Sequence, residues 1–194
     1  MKLTSCDKQA ISDLNDLYLL NIGAYYYQQK DYQRAIEYYR LSASMGNDQA
    51  ICNLGYCYMY ARSVEKDMDL AIAYFKIAAK HKNIDALYKL GTLYLYGIQV
   101  KEDQGIGMYY LNEARNQICY YEQAIKYPSL HLTMAKQLLL NQDSTKLEMI
   151  YEYLMIAKVG FEEELQQENT YYDQSYHEVL SLLDDPCFDQ MNEE

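Results

Sequence analysis

The chain has 194 residues, half of them hydrophobic and 23% charged, with a formal net charge of −11 at pH 7. Such acidity repels phosphate backbones and anionic lipid heads, and no cluster of basic residues offsets it, so nucleic acid and membrane surfaces are disfavoured as partners. Five irregularly spaced cysteines argue against a disulfide framework, and with no signal-peptide pattern at the start and no run of about twenty apolar residues, the expectation is a cytoplasmic protein.

Two prolines and eight glycines interrupt a sequence otherwise rich in helix formers, so the expected class is all-α, in one domain over residues 1–194. In chain order the three- and four-residue spacings of apolar residues predict helices at 16–29, 32–45, 48–60, 67–80, 84–96 and 103–116, the last with room to run on towards Tyr127. Asp31, Asp67 and Asp103 stand where a carboxylate would accept from first-turn amides and start the second helix of each pair. Gly46-Asn47 and Lys82-Asn83 mark the turns between pairs. Pro128 forces a new start, with helices expected at 129–141, 145–168 and 171–184.

These elements repeat. Shifting the chain by 36 residues brings Ala50 onto Ala86, Leu54-Gly55 onto Leu90-Gly91, Tyr58 onto Tyr94, Tyr74 onto Tyr110 and Ala78 onto Ala114. Ala35, Tyr38-Tyr39 and Ser42-Ala43 extend the register backwards, while Ile22-Gly23 and Tyr26 lie 32 residues before their counterparts. The first unit therefore has a shorter connection between its helices. Glycine inside a helix costs about 1 kcal/mol relative to alanine, so Gly23, Gly55 and Gly91 at one repeat position point to close helix approach, opposite the small residues Ala35, Ala71 and Gly107. Tyr26, Tyr58 and Tyr94 are expected to fill the adjoining grooves.

The pattern Ile22-Gly23, Tyr26, Ala35, Tyr39, Ser42 resembles the tetratricopeptide consensus. The longer units, with Leu90-Gly91-Thr92-Leu93-Tyr94-Leu95-Tyr96-Gly97, then Val100, Asp103 and Tyr110, resemble the related Sel-one-like repeat. The resemblance implies an α-solenoid of stacked antiparallel helix pairs wound as a right-handed superhelix, with repeats near 16–47, 48–83 and 84–118. A degenerate unit, in which Tyr153, Ala157 and Gly160 echo Tyr39, Ala43 and Gly46, and acidic capping helices would occupy 119–194.

The same resemblance implies a concave binding face on the first helix of each unit. It falls on Leu20, Ala24, Tyr27 and Gln28, then Cys52, Tyr56, Met59 and Tyr60, then Tyr88, Thr92, Leu95 and Tyr96. Five of these twelve are tyrosines. The Lys, Arg and Asn set by which some relatives clamp a C-terminal carboxylate is missing from these positions, and an aromatic groove suits apolar and amphipathic contacts instead.

Other groups carry little chemistry. Cys52 and Cys57, five apart, point about 140° apart on a helix, too far for a metal clip, and read as buried thiols. His81, His131 and His177 are scattered, and Glu162-Glu163-Glu164 and Asp184-Asp185 read as solvated acidic faces. Gly105 and Gly107 lack the third glycine and preceding strand of a dinucleotide site. No cofactor or metal is called for. The expectation is a non-catalytic adaptor or scaffold that binds a peptide or partner helix. The alternatives are a small enzyme or accessory subunit with its site in residues 117–194, which a deep polar pocket there would favour, and a self-associating repeat protein.

Overall fold

A computed structural model describes residues 4–141, 144–188 and 191. Among them there are eleven α-helices and no strand: α1 (Ser5–Ser12), α2 (Asp16–Gln28), α3 (Tyr32–Ser44), α4 (Asp48–Met59), α5 (Met68–Lys80), α6 (Ile84–Leu95), α7 (Gln104–Asn116), α8 (Tyr121–Ala124), α9 (Pro128–Leu140), α10 (Leu147–Gln166) and α11 (Asp173–Leu183). The class is all-α and the architecture an α-solenoid of helix pairs. The chain, read from sequence as one domain, divides into two compact units, Met1–Ala114 and Arg115–Glu194.

In the first unit, pairs α2/α3, α4/α5 and α6/α7 follow the repeat. Asp31, Asp67 and Asp103 cap the second helices by accepting from the amides of Arg34 (3.2 Å), Leu70 (2.8 Å) and Ile106 (2.8 Å). Asn47 and Asn83 do the same for α4 and α6, accepting from Ala50 at 2.8 Å and Ala86 at 2.9 Å. Each longer unit closes its connection with the same two backbone bonds. Arg62 N–H donates to Cys57 (2.9 Å) and Asp67 N–H to Tyr58 (3.2 Å); 36 residues on, Ile98 donates to Leu93 (2.9 Å) and Asp103 to Tyr94 (2.9 Å).

The repeated glycines let large side chains of the partner helix lie flat on the backbone. A Cβ on Gly23 would sit 2.6 Å from the Tyr39 ring, on Gly55 2.7 Å from Phe75, and on Gly91 2.6 Å from Leu111. The close neighbour is thus a large buried side chain, with Ala35 and Gly107 contributing only their carbonyls. Tyr26, Tyr58 and Tyr94 stack on Tyr38, Tyr74 and Tyr110, with ring centroids 5.6, 5.7 and 5.9 Å apart.

Helix α1 has no counterpart among the expected elements. A capping box between Thr4 and Asp7 starts it, and the buried Asp7 carboxylate also accepts from the Tyr38 hydroxyl at 2.8 Å. Burial works against that charge, but hydrogen bonds from Thr4 and Tyr38 hold the carboxyl below its ordinary pKa.

In the second unit α10 packs against α9 and α11. Helix α7 stops at Asn116, short of Tyr127, and the brief α8 follows. Pro128 is the first residue of α9. Gly160 does not echo Gly46: it lies inside α10, where its missing side chain admits the Ile125 carbonyl, whereas Gly46 ends α3 with φ +92°.

Candidate functional site

Helices α2, α4 and α6 carry one repeated outward stripe. On α4 it runs through Gln49, Asn53, Tyr56 and Tyr60; the residues 36 further on are Asp85, Lys89, Thr92 and Tyr96, and those 32 before are Leu17, Asn21, Ala24 and Gln28. All twelve are at least partly exposed, with Tyr60 at 51% and Tyr96 at 52%. The steps of four, three and four residues keep them on one helix face.

Leu20, Cys52, Met59 and Leu95, expected on this face, are instead buried at 8%, 0%, 7% and 5% exposure. Each precedes a stripe residue by one position, a rotation of about 100° that turns it into the core. Tyr27 and Tyr88 occupy the same inward-rotated positions and are half-buried. Tyr27 joins Tyr39, Asn53 and Tyr56 around a recess of 150 Å³.

The recess is braced by aromatic and cationic contacts. The rings of Tyr56 and Tyr60 are parallel with centroids 6.2 Å apart, Tyr56 meets Phe75 edge-on at 5.0 Å, and Lys89 Nζ lies 5.5 Å from the Tyr56 ring centre. The Arg62 guanidinium sits 4.8 Å from the Tyr32 ring centre, and its charge works against the rise that burial causes in the Tyr27 pKa. Burial pushes the hydroxyls of Tyr27, Tyr39 and Tyr56 above the usual phenol range, so at neutral pH they are protonated and both donate and accept.

A polar network runs along the stripe's N-terminal end. Gln49 Nε2 donates to Asp85 at 3.0 Å, and Asn83 Nδ2 donates to Gln49 Oε1 at 2.8 Å. Burial raises the Asp85 pKa, and the Gln49 hydrogen bond partly offsets it. Cys52 and Cys57 lie behind the stripe as buried thiols; burial raises both, Cys57 to about 11, which leaves them un-ionised and poorly nucleophilic at neutral pH.

Asn53, Lys89 and Asp85 were absent from the expected site, although the 36-residue register places them on the same face as Tyr56 and Tyr96. Arg62 had no such signal, because it comes from the connection after α4. Elsewhere, Lys76, Lys80, Tyr109 and the ion pair of Lys82 with Glu113 border a 300 Å³ hollow among α5, α6 and α7. The second unit contains its own cavity of 320 Å³, lined by residues between Arg115 and Ile156. No helix is long and apolar enough to cross a membrane among the described residues.

A family model of the Sel1 repeat matches residues 18–47, 48–83 and 84–117. A Sel1 repeat protein from Oxalobacter formigenes is similar in structure, with a TM-score of 0.61 and 23% identity, over 75% of this chain and 58% of that one. A protective antigen present in uropathogenic Escherichia coli strains, displaying an SLR fold, gives a TM-score of 0.53 and 16% identity over 90% of this chain and 43% of its own. The chain therefore spans little more than half the length of the first of these proteins and less than half of the second, and at such identities the likeness is one of fold. No curated protein matches.

Proposed function

The chain belongs to the Sel1 repeat family, and from that premise we propose that it is a non-catalytic protein-interaction module whose tyrosine-lined stripe receives a peptide or partner helix. Sel1 repeat proteins in general act through protein–protein contacts. The observation that carries the reading is the repeated stripe itself, with Tyr56, Tyr60 and Tyr96 presented beside Asn53, Lys89 and Asp85.

Tyrosine provides a large contact area with little side-chain entropy to lose, and its hydroxyl bonds a ligand's backbone. In this reading Ala24, Gln28 and Thr92 are the flat parts of the surface. Tyr27, Tyr56 and Tyr88 form its walls, and Tyr60 and Tyr96 are the anchors at its open end. Leu20 and Met59 support it from the core. Lys89 and Asp85, of opposite sign, would favour a ligand carrying both charges over a uniformly charged one.

Selection of a displayed random-peptide library on the full chain tests this. Selected peptides are expected to share an aromatic or aliphatic anchor, and a Tyr60→Ala, Tyr96→Ala double variant with an unchanged circular dichroism spectrum should bind them at least about tenfold more weakly. Undiminished binding by that variant would refute the reading.

A further inference from the structure

The cavity of 320 Å³ in the second unit is of a size that holds a small ligand or one side chain. Its floor is His131, only 2% exposed, with the edge of its ring packed at 5.6 Å against Tyr153, itself 4% exposed. His131 Nδ1 donates to the Tyr127 carbonyl at 3.0 Å, so in the neutral ring Nε2 is the acceptor. That nitrogen has no hydrogen-bond partner among the described residues. Arg115 lines the same space, close enough to Tyr153 that its charge works against the rise that burial causes in the Tyr153 pKa; Glu152 lines it too, as do Tyr120 and Tyr121, 74% and 54% exposed.

We propose that this cavity binds a neutral carboxamide, its N–H₂ donating to His131 Nε2 and its C=O accepting from Arg115. Arg115 and Glu152, of opposite sign, both line the cavity. A carboxylate could accept from Arg115 but has no hydrogen to donate to Nε2, and a cation would lie near the Arg115 guanidinium. A group that donates and accepts within one plane satisfies both ends, whereas an apolar group would leave a buried acceptor unpaired. Burial, reinforced by the charge of Arg115 against the hydrogen bond to Tyr127, lowers the His131 pKa, which keeps the imidazole in the acceptor form. The exposed Tyr120 and Tyr121 would cover the rest of the ligand. The carboxamide belongs either to a free small molecule or to an asparagine or glutamine side chain of a bound peptide. The proposal does not depend on the tyrosine stripe, since every lining residue lies between Arg115 and Ile156.

The test follows the imidazole nitrogens of the full chain by long-range ¹H–¹⁵N correlation; His131→Phe identifies the His131 signal, and the exposed His81 and His177 act as internal controls. Propionamide, propionate and propylammonium form the small-molecule arm. End-blocked pentapeptides with a central Gln, Glu or Met between alanines form the other. The expected result is a saturable shift at Nε2 of His131 with propionamide and the Gln peptide, at least tenfold weaker with the charged and Met probes. Arg115→Met, at an exposed position, should weaken the amide response at least tenfold. A Gln peptide at least tenfold tighter than propionamide identifies a peptide side chain as the source, and equal affinity identifies a free amide. No saturable shift with either amide, or an equal response to the charged or Met probes, overturns the proposal. The Tyr60→Ala, Tyr96→Ala variant should keep the full response, which separates this site from the stripe.

Discussion

Asn83 reaches back across the junction between repeats and donates from Nδ2 to Asp48 Oδ2 at 3.0 Å, while its own Oδ1 caps α6 through the Ala86 amide. Asn47 makes the same pair of contacts one unit earlier, donating to Asp16 at 2.8 Å and accepting from Ala50 at 2.8 Å. One side chain thus starts a helix and ties it to the preceding first helix.

Replacing Asn83 with alanine should remove the cap and leave the Asp48 and Gln49 side chains short of a donor, at a cost of about 2–3 kcal/mol in urea unfolding. Asn83→Asp keeps a capping oxygen but sets a carboxylate against Asp48, so it should destabilise less at pH 4 than at pH 7. Equal losses for Asn83→Asp at both values would show that the junction contact contributes nothing beyond the cap.

Ala61 and Gly97 occupy the same position in successive units, and both have positive φ, 54° and 61°. Only glycine adopts that conformation without steric cost. Ala61→Gly should therefore stabilise the chain by about 0.5–1 kcal/mol, and Gly97→Ala should destabilise it by a similar amount. Thermal melts of the two variants moving in the same direction would contradict this account of the loop.

Gly55 and Gly160 both permit close helix approach, but against different atoms. A Cβ at Gly55 would press on the Phe75 ring at 2.7 Å, and one at Gly160 would lie 2.1 Å from the Ile125 backbone oxygen. A ring shifts more readily than a backbone carbonyl. Gly55→Ala should lose about 1–2 kcal/mol after the gain in helix propensity, and Gly160→Ala about 3 kcal/mol or more. Chemical denaturation of both variants would reveal the ranking, and a milder effect at Gly160 would mean that the α10 contact is looser than described.

Alkali should loosen the first unit. Cys57 has its pKa raised from 9.0 to about 11 by burial, and Tyr39 and Tyr56 are raised for the same reason. Because the unfolded chain ionises first, their contribution is complete below pH 9 and declines as pH rises towards the folded values. Cys57 alone should account for about 1 kcal/mol of the loss by pH 10. Urea midpoints at pH 8, 9 and 10 should fall, and Cys57→Ala should flatten the slope. An unchanged slope would show that Cys57 is not the titrating group.

Much of the fold was legible because its boundaries are local chemistry. The carboxylates of Asp31, Asp67 and Asp103, spaced 36 residues apart, act on amides three positions away, and any sequence register exposes them. Helix α1 escaped because it precedes the repeat, and its tie to the rest runs through the distant pair Asp7 and Tyr38. Within Tyr25-Tyr26-Tyr27, periodicity alone could not say that Tyr25 faces solvent, Tyr26 stacks on Tyr38 and Tyr27 lines the recess. The expected binding face was too wide by one residue per turn, which placed Leu20 and Met59 on a surface they support from behind. Arg62 and the His131 cavity depend on long-range packing that no spacing encodes.

The central claim is that the tyrosine stripe is the docking surface. A peptide selected on the full chain, titrated by calorimetry against the parent and against the Tyr60→Ala, Tyr96→Ala variant, measures it most directly. The account predicts a loss of at least about tenfold in affinity with the circular dichroism spectrum of the variant unchanged. The same dissociation constant for both proteins would contradict it.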